Sequence, residues 1–470
     1  MLQSALIIVP HPDDEINIAG GLFEQLISLN VYITVVICSN GDFVKKNSVK
    51  RINESLKVQK IFGFNDLIFL GYGDNYQNKH IYDLSNDEIA VSTYGVDETY
   101  CVGGLKEFCF NKHGYHHKYT RDNIKTDIRE VILDKLADMI VCVDNDCHPD
   151  HRCISLLFDE VIGEVLKEIP SYHPTILKSF AYLGVWHGAY DFFSKTIKPT
   201  LPCYRDGKID VSLSYPYLWS QRIRIKNPEN FTSLKLWRNK LFKSFIAYKT
   251  QWPYAMGSFP RVANPDSCYW YRSSHNLALH SKISASSGDV QYINDFLIIK
   301  PLSVRGDFKD FYSNSLCWVN DCDDKKPFVE FHLHDTSTIQ RLVIYQHCDT
   351  RVDEVEIVTD AGYKANRLCV DCNILDISIP PCTCKSIRIY FISYKNDVIA
   401  IDEIELYDKE EPFSLDTIPL IKYTDESVNR SRLITVPIEL LYNFLFRIWS
   451  LFEELCEYFR LAIKKIKIYI

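Results

Sequence analysis

Ala5-Leu6-Ile7-Ile8-Val9-Pro10-His11-Pro12-Asp13-Asp14-Glu15 is a run of five apolar residues that ends in a histidine and three acids. Apolar side chains at every position, with no polar alternation, predict a strand buried on both faces, as in a parallel sheet. Working outward, Asn17–Leu29 places Ile18, Leu22, Leu26 and Leu29 at helical spacing, Val31–Cys38 is a second apolar run, and Arg51–Phe62 a second helix. Leu67–Leu70, the helical stretch Asp122–Leu136 and the strand Met139–Val143 continue the alternation. The expected fold class is α/β, a Rossmann-like, mostly parallel sheet with helices on both faces.

Polar residues gather where these strands end: His11 to Glu15, Ser39-Asn40-Gly41-Asp42, Gly71-Tyr72-Gly73-Asp74, and Asp144 through His151. Open α/β sheets form their sites outside the carboxyl ends of the strands, so the four ends describe one crevice. The Tyr-, His- and Gly-rich stretch between Asn75 and Arg121 is expected to loop around it. His11 with Asp13 and Asp14, and the pair His148 and His151, offer nitrogen and oxygen ligands for a divalent metal plus a spare carboxylate. Two histidines and one carboxylate with an open position suit catalytic zinc, and iron or cobalt would accept the same set. Such a metal lowers the pKa of bound water, a neighbouring carboxylate can take its proton, and a further histidine can stabilise an oxyanion.

The chain of 470 residues is long enough for two or three domains, and 46% hydrophobic residues can fill their cores. A net charge of −8 argues against a protein built to hold nucleic acid. The first residues lack the basic and apolar regions of a signal peptide, so the sixteen cysteines are read as thiols in a reducing, cytoplasmic setting. The doublets Cys369/Cys372 and Cys382/Cys384 have metal-ligand spacing but sit in a strand-rich stretch, so they are read as ordinary thiols and not as a zinc site.

Beyond Ser281 the pattern changes. Phe328–His334, Leu342–Gln346, Val352–Thr359, Ser386–Ile392 and Ile399–Tyr407 alternate in twos between turns, which predicts an all-β sandwich. The expected division is 1–274, 275–409, and a linker with tail over 410–470. In the tail, polar residues from Asn443 to Lys467 recur at steps of three and four, giving an amphipathic helix with a wide apolar face. Residues 437–470 are a candidate for peripheral contact with the inner face of a membrane, or for packing on protein.

Pro10-His11-Pro12-Asp13-Asp14-Glu15 paired with His148-Pro149-Asp150-His151 resembles the two signatures of the PIG-L/LmbE-like zinc-dependent N-acetylglucosaminyl deacetylases, with Pro10 where alanine is commoner. Arg51-x-x-Glu54 and Tyr248-Lys249-Thr250-Gln251 fit further patterns of that family. The resemblance implies one zinc per chain held by His11, Asp14 and His151, with Asp13 as general base on zinc-bound water. It implies that His148 stabilises the oxyanion or protonates the leaving amine, that Asp150 orients His148, and that Arg51 contacts substrate. Glu15 is read as structural, an acid suited to a helix start. Ser284-Ala285-Ser286-Ser287, Trp318 and Ile401-Asp402-Glu403-Ile404-Glu405-Leu406-Tyr407 resemble discoidin (factor 5/8 C-type) modules, which implies a candidate glycan ligand. The expected function is removal of the N-acetyl group from a GlcNAc-like amino sugar in a glycan or glycolipid, releasing acetate and a free amine. The alternatives are a glycan-binding or scaffolding protein on an inactive deacetylase fold, and a zinc amidase or esterase for another substrate.

Overall fold

The computed structural model describes residues 2–410 apart from 45–46, 76–78, 183–185, 188–200, 203, 206–207, 210–222, 233–235, 252–265, 307, 348–349 and 369–372; beyond 410 it describes Phe444, Ile448, Leu451, Phe452 and Leu455. The first part runs β1 (Ser4–Val9), α1 (Asp14–Ser28), β2 (Tyr32–Ser39), α2 (Ser48–Phe62), β3 (Asp66–Tyr72), α3 (Phe108–His113), α4 (Arg121–Lys135), β4 (Met139–Val143), α5 (Pro149–Glu168) and β5 (Thr175–Ser179). Four two-residue strands follow as two small hairpins, β6 (Trp186–His187) with β7 (Leu201–Pro202) and β8 (Tyr204–Arg205) with β9 (Lys208–Ile209). Then come β10 (Ile223–Lys226), α6 (Lys240–Ala247) and β11 (Asp266–Arg272).

One seven-stranded sheet has the order β10-β11-β5-β4-β1-β2-β3. Strands β5, β4, β1, β2 and β3 are mutually parallel, and β10 and β11 add antiparallel to one edge. The inner strands are apolar on both sides because helices cover both: Leu6, Ile7 and Val9 are fully buried, as are all five residues of β4. Helices α1, α2 and α6 pack together on one face, and α4 against α5 on the other. The chain leaves β1 toward β2 on one side and returns to β4 on the other, so the β1/β4 boundary is the topological switch point. Both polar motifs follow those two strands. A 3-10 turn (Leu236–Arg238) precedes α6, and the side chain of Asn239 caps its start by accepting the Phe242 N–H.

The second part runs β12 (Lys282–Ala285), α7 (Phe308–Ser313), β13 (Trp318–Val319), β14 (Phe328–Gln346), β15 (Val352–Thr359), β16 (Lys364–Leu368), β17 (Ile374–Tyr394) and β18 (Ala400–Tyr407). All pairings are antiparallel. Phe328–His334 and Leu342–Gln346, expected as two strands, are the halves of one long strand. Its partner β17 is equally long, and their register shifts between His332 and Ser337. Beyond the shift, β14 also pairs with β18; before it, with β12. Two long strands thus bend together and fold the sheet over one core of Val329, Phe331, Leu342, Ile344, Val355, Ile387 and Ile404.

The two cores are stitched by a connection. Phe296, Ile298, Ile299, Val304, Phe311 and Tyr312, which lie between β12 and β13, belong to the first hydrophobic core. Gly163 of α5 lets this connection approach closely, since a Cβ there would stand 2.7 Å from the Asp295 carbonyl. Of the cysteine doublets, Cys369 and Cys372 lie outside the described residues; Cys382 and Cys384 are free. Among the described residues no helix is long and apolar enough to cross a membrane. The tail is outside them except at five helical positions whose side chains are exposed.

Candidate active site

The motif after β4 is a helix start. His148 is the N-cap of α5, Pro149 occupies the first turn where no N–H is needed, and Asp150 is the acid that the helix dipole favours there. The Nδ1 atom of His148 accepts the Asp150 backbone N–H at 3.2 Å. An accepting Nδ1 places the proton of neutral His148 on Nε2. Burial, with His151 and His11 beside it, holds His148 well below its usual pKa and so in that neutral form.

The motif after β1 is tighter. Asp13 starts α1 with φ 109°, a conformation that side-chain-bearing residues rarely adopt. Its N–H donates to Glu15 Oε2 at 2.9 Å, and Arg51 from α2 donates to both the Pro12 carbonyl and Asp13 Oδ1, the latter at 2.8 Å. Arg51 reaches this point past Gly41 (φ +62°), where a Cβ would stand 2.7 Å from the arginine side chain. Burial pushes the Asp13 carboxyl up to about 7, against the pull of Arg51.

Three donor atoms converge between the motifs. Asp14 Oδ2 lies 3.1 Å from His11 Nδ1 and 3.3 Å from His151 Nε2, and those two nitrogens are 3.3 Å apart. Tetrahedral zinc with bonds of about 2.0–2.1 Å spaces its ligand atoms by roughly 3.3 Å. The opposite nitrogens are held by carboxylates: His11 Nε2 by Asp150 at 3.1 Å and His151 Nδ1 by Asp146 at 2.7 Å. That is the outer arrangement that orients histidine ligands. Asp14 is fully buried, and its Oδ1 has no hydrogen-bond partner. Burial would raise Asp14, but His151 and His11 outweigh it and hold the carboxyl well below its usual range. The residues present therefore fit a divalent metal. His148 also brings a nitrogen within 4.8 Å of those of His11 and His151, but its Nδ1 is engaged in the helix cap.

All seven residues singled out in the sequence meet here, with one change of partner. Asp150 does not direct its carboxylate at His148: Oδ2 faces His11 and Oδ1 faces His80 Nε2 at 2.8 Å, because the first turn of α5 turns that side chain back toward β1. Only its backbone N–H reaches His148. The later motifs meet as well. Tyr248 donates to Glu15 and lies 3.1 Å from Ser55, while Thr250 bonds both oxygens of Glu54.

Three residues escaped the sequence reading. His80 is wholly buried behind Asp150, within a stretch that has no periodicity to point to it. Tyr182 sets its ring edge-on to His151 at 4.5 Å. Asp146 holds His151, the His148 N–H and the Tyr182 N–H together. The need of a ligand histidine for an outer acceptor would have found Asp146, two residues before His148.

The family described as PIG-L: GlcNAc-PI de-N-acetylase matches residues 6–162, which hold every one of these strand ends. Those residues are a PIG-L domain. No curated protein matches the chain. Among solved structures, the N,N'-diacetylchitobiose deacetylase of Pyrococcus horikoshii is 17% identical over 36% of this chain and 52% of its own, with a TM-score of 0.24. A Streptococcus pneumoniae fucose binding module is 20% identical over 28% of this chain and 96% of its own, at a TM-score of 0.23. The chitosan-binding module 1 of a Paenibacillus chitosanase/glucanase is 18% identical over 28% and 98%, at 0.22. The match ends within α5, so Tyr182, Tyr248 and Thr250 support the site from outside the matched span.

Proposed function

We propose that the protein is a metal-dependent N-deacetylase that hydrolyses the N-acetyl group of a GlcNAc-like amino sugar carried on a glycan or glycolipid. The observation that carries this reading is the triangle of His11 Nδ1, Asp14 Oδ2 and His151 Nε2 at the switch point of a PIG-L domain. His11, Asp14 and His151 would hold one zinc ion, which when bound would polarise the acetyl carbonyl and make water more acidic.

The chain's own groups supply the rest. Asp13 takes the proton of the attacking water; Arg51 fixes one of its oxygens and Glu15 fixes its backbone, so the other oxygen is the one that works. Neutral His148 offers its Nε2 proton to the oxygen that becomes negative as the carbonyl carbon turns tetrahedral. As the C–N bond breaks, the proton held by Asp13 passes to the departing amine, leaving acetate and a free amine. Tyr182 offers an aromatic wall over His151 for the sugar. The second sheet is proposed to bind glycan. A cytoplasmic setting with contact at a membrane surface is part of the same proposal; the exposed side chains of Phe444, Ile448, Leu451 and Leu455 support the contact.

The test is metal content together with acetate release from a panel of N-acetylhexosamine compounds. Metal bound by wild type, with acetate formed by wild type and not by Asp13→Ala, supports the reading. A metal-free protein, or equal acetate from both proteins, overturns it.

A further inference from the structure

We propose that Cys109, His117 and Asp127 form a second, structural site for a zinc-class divalent cation, apart from the crevice. Cys109 lies on α3, His117 in the turn after it, and Asp127 on α4, so the three donors come from separate pieces of chain. A thiol, an imidazole and a carboxylate each place one donor atom within 4.8 Å of the other two. Cys109 and Asp127 are wholly buried, and His117 closes the group from the partly exposed side.

The polar atoms of this group are only partly satisfied by one another. His117 Nδ1 stands 3.0 Å from Asp127 Oδ1, yet the contact is too bent for a hydrogen bond and both atoms lack a hydrogen-bond partner. Glu107 Oε2, also buried and without a hydrogen-bond partner, belongs to a carboxylate whose charge acts on both Cys109 and His117 from outside the group of three. Zinc bonds of about 2.0 Å to nitrogen or oxygen and about 2.3 Å to sulfur put ligand atoms roughly 3.3–3.7 Å apart, so small side-chain rotations close the site.

The rest of the group is already fixed in place. Tyr72 at the end of β3 donates to the other Asp127 oxygen at 2.5 Å. Thr99 clasps the His117 backbone, accepting its N–H at 3.0 Å and donating its own N–H to the His117 carbonyl at 2.8 Å, and its hydroxyl donates to Glu107 Oε1. A sulfur, nitrogen and oxygen donor set selects zinc over magnesium or calcium.

The ion would fasten the 75–120 stretch onto α4. That stretch brings His80 and Asn75 against Asp150, and Tyr100 against Asp42, so the ion would hold one wall of the crevice without touching it. The inference stands whether or not the crevice catalyses deacetylation.

The full chain, purified under reducing conditions, is assayed for zinc by elemental mass spectrometry and then loaded with cobalt(II). About two ions per chain are expected in wild type, together with a near-ultraviolet thiolate-to-cobalt band that the sulfur-free crevice cannot supply. His151→Ala should keep the band and lose one ion; Cys109→Ser and His117→Ala should each lose the other ion, and Cys109→Ser the band. Cobalt-loaded wild type without a thiolate band overturns the proposal with no variant needed, as does a band that survives Cys109→Ser unchanged.

Discussion

Two groups of histidine and carboxylate, one after the parallel strands and one in the β-rich part, invite comparison. In the crevice, His11, Asp14 and His151 bring three donor atoms to one point, and separate carboxylates hold the histidines from behind. In the β-rich part, Cys317, His347 and Asp402 are also mutually close. There, however, a single imidazole lies between two acceptors on opposite sides of its ring, Asp402 Oδ1 at 2.9 Å from Nδ1 and the Ser313 carbonyl at 3.3 Å from Nε2. Both nitrogens then carry protons, and no lone pair remains for a metal. The difference teaches that convergence of lone pairs makes a metal centre, and nearness of residue types does not.

Four variants sharpen or break that contrast. The largest effect belongs to Asp13→Ala, expected to lower turnover by about 10²–10⁴-fold while metal content stays at the wild-type level; loss of the metal instead would move Asp13 into the ligand set. Asp146→Asn should weaken metal binding by roughly 10–100-fold in chelator competition, because His151 loses its outer carboxylate. His347→Gln should leave metal affinity untouched, and a drop there would erase the contrast.

The same variant tests the protonated state of His347. Burial alone would depress its pKa, but Asp402 and Cys317 push it up to about 10. A group raised above an unfolded value of about 6.5 contributes stability that is complete below that pH and fades as pH rises through about 10. Denaturant midpoints should therefore fall for wild type between those limits by up to about 1.4 kcal/mol per pH unit from this group, and His347→Gln should lack that component. Smallest is Tyr248→Phe, which leaves a buried Glu15 oxygen without its donor and should cost about 1–3 kcal/mol in a melt, with the ligand triangle still able to load metal.

The crevice was legible because its chemistry is local. A buried strand followed by HPDD, and another followed by HPDH, state both the sheet and its loaded ends. Pro149 after a histidine even announces a capped helix. What stayed hidden depends on long-range meetings. Nothing near His80 says that it will lie behind Asp150, and nothing near Tyr182 says that it will cover His151. The long strands β14 and β17 were also hidden, because Asp335, Thr336 and Ser337 look like a turn between two strands. In the structure those residues belong to one continuous strand at the bend, where the pairing with β17 skips from His332 to Ser337. The connection holding Phe296 to Tyr312 reads as irregular chain, and only folding shows which core it joins.

Arg152, the neighbour of His151, donates to the carbonyls of Asp146, Val304 and Gly306 and stacks on Phe311. One arginine thus ties the loop that steadies His151 to a strap from the far half of the chain. For gene architecture the consequence is concrete. A recombination breakpoint between the halves, however clean it looks in the alternation of strands and helices, would strand a buried cation and strip the underside of the helix that carries His151. These two halves can be inherited together or redesigned together, but not exchanged like beads on a string.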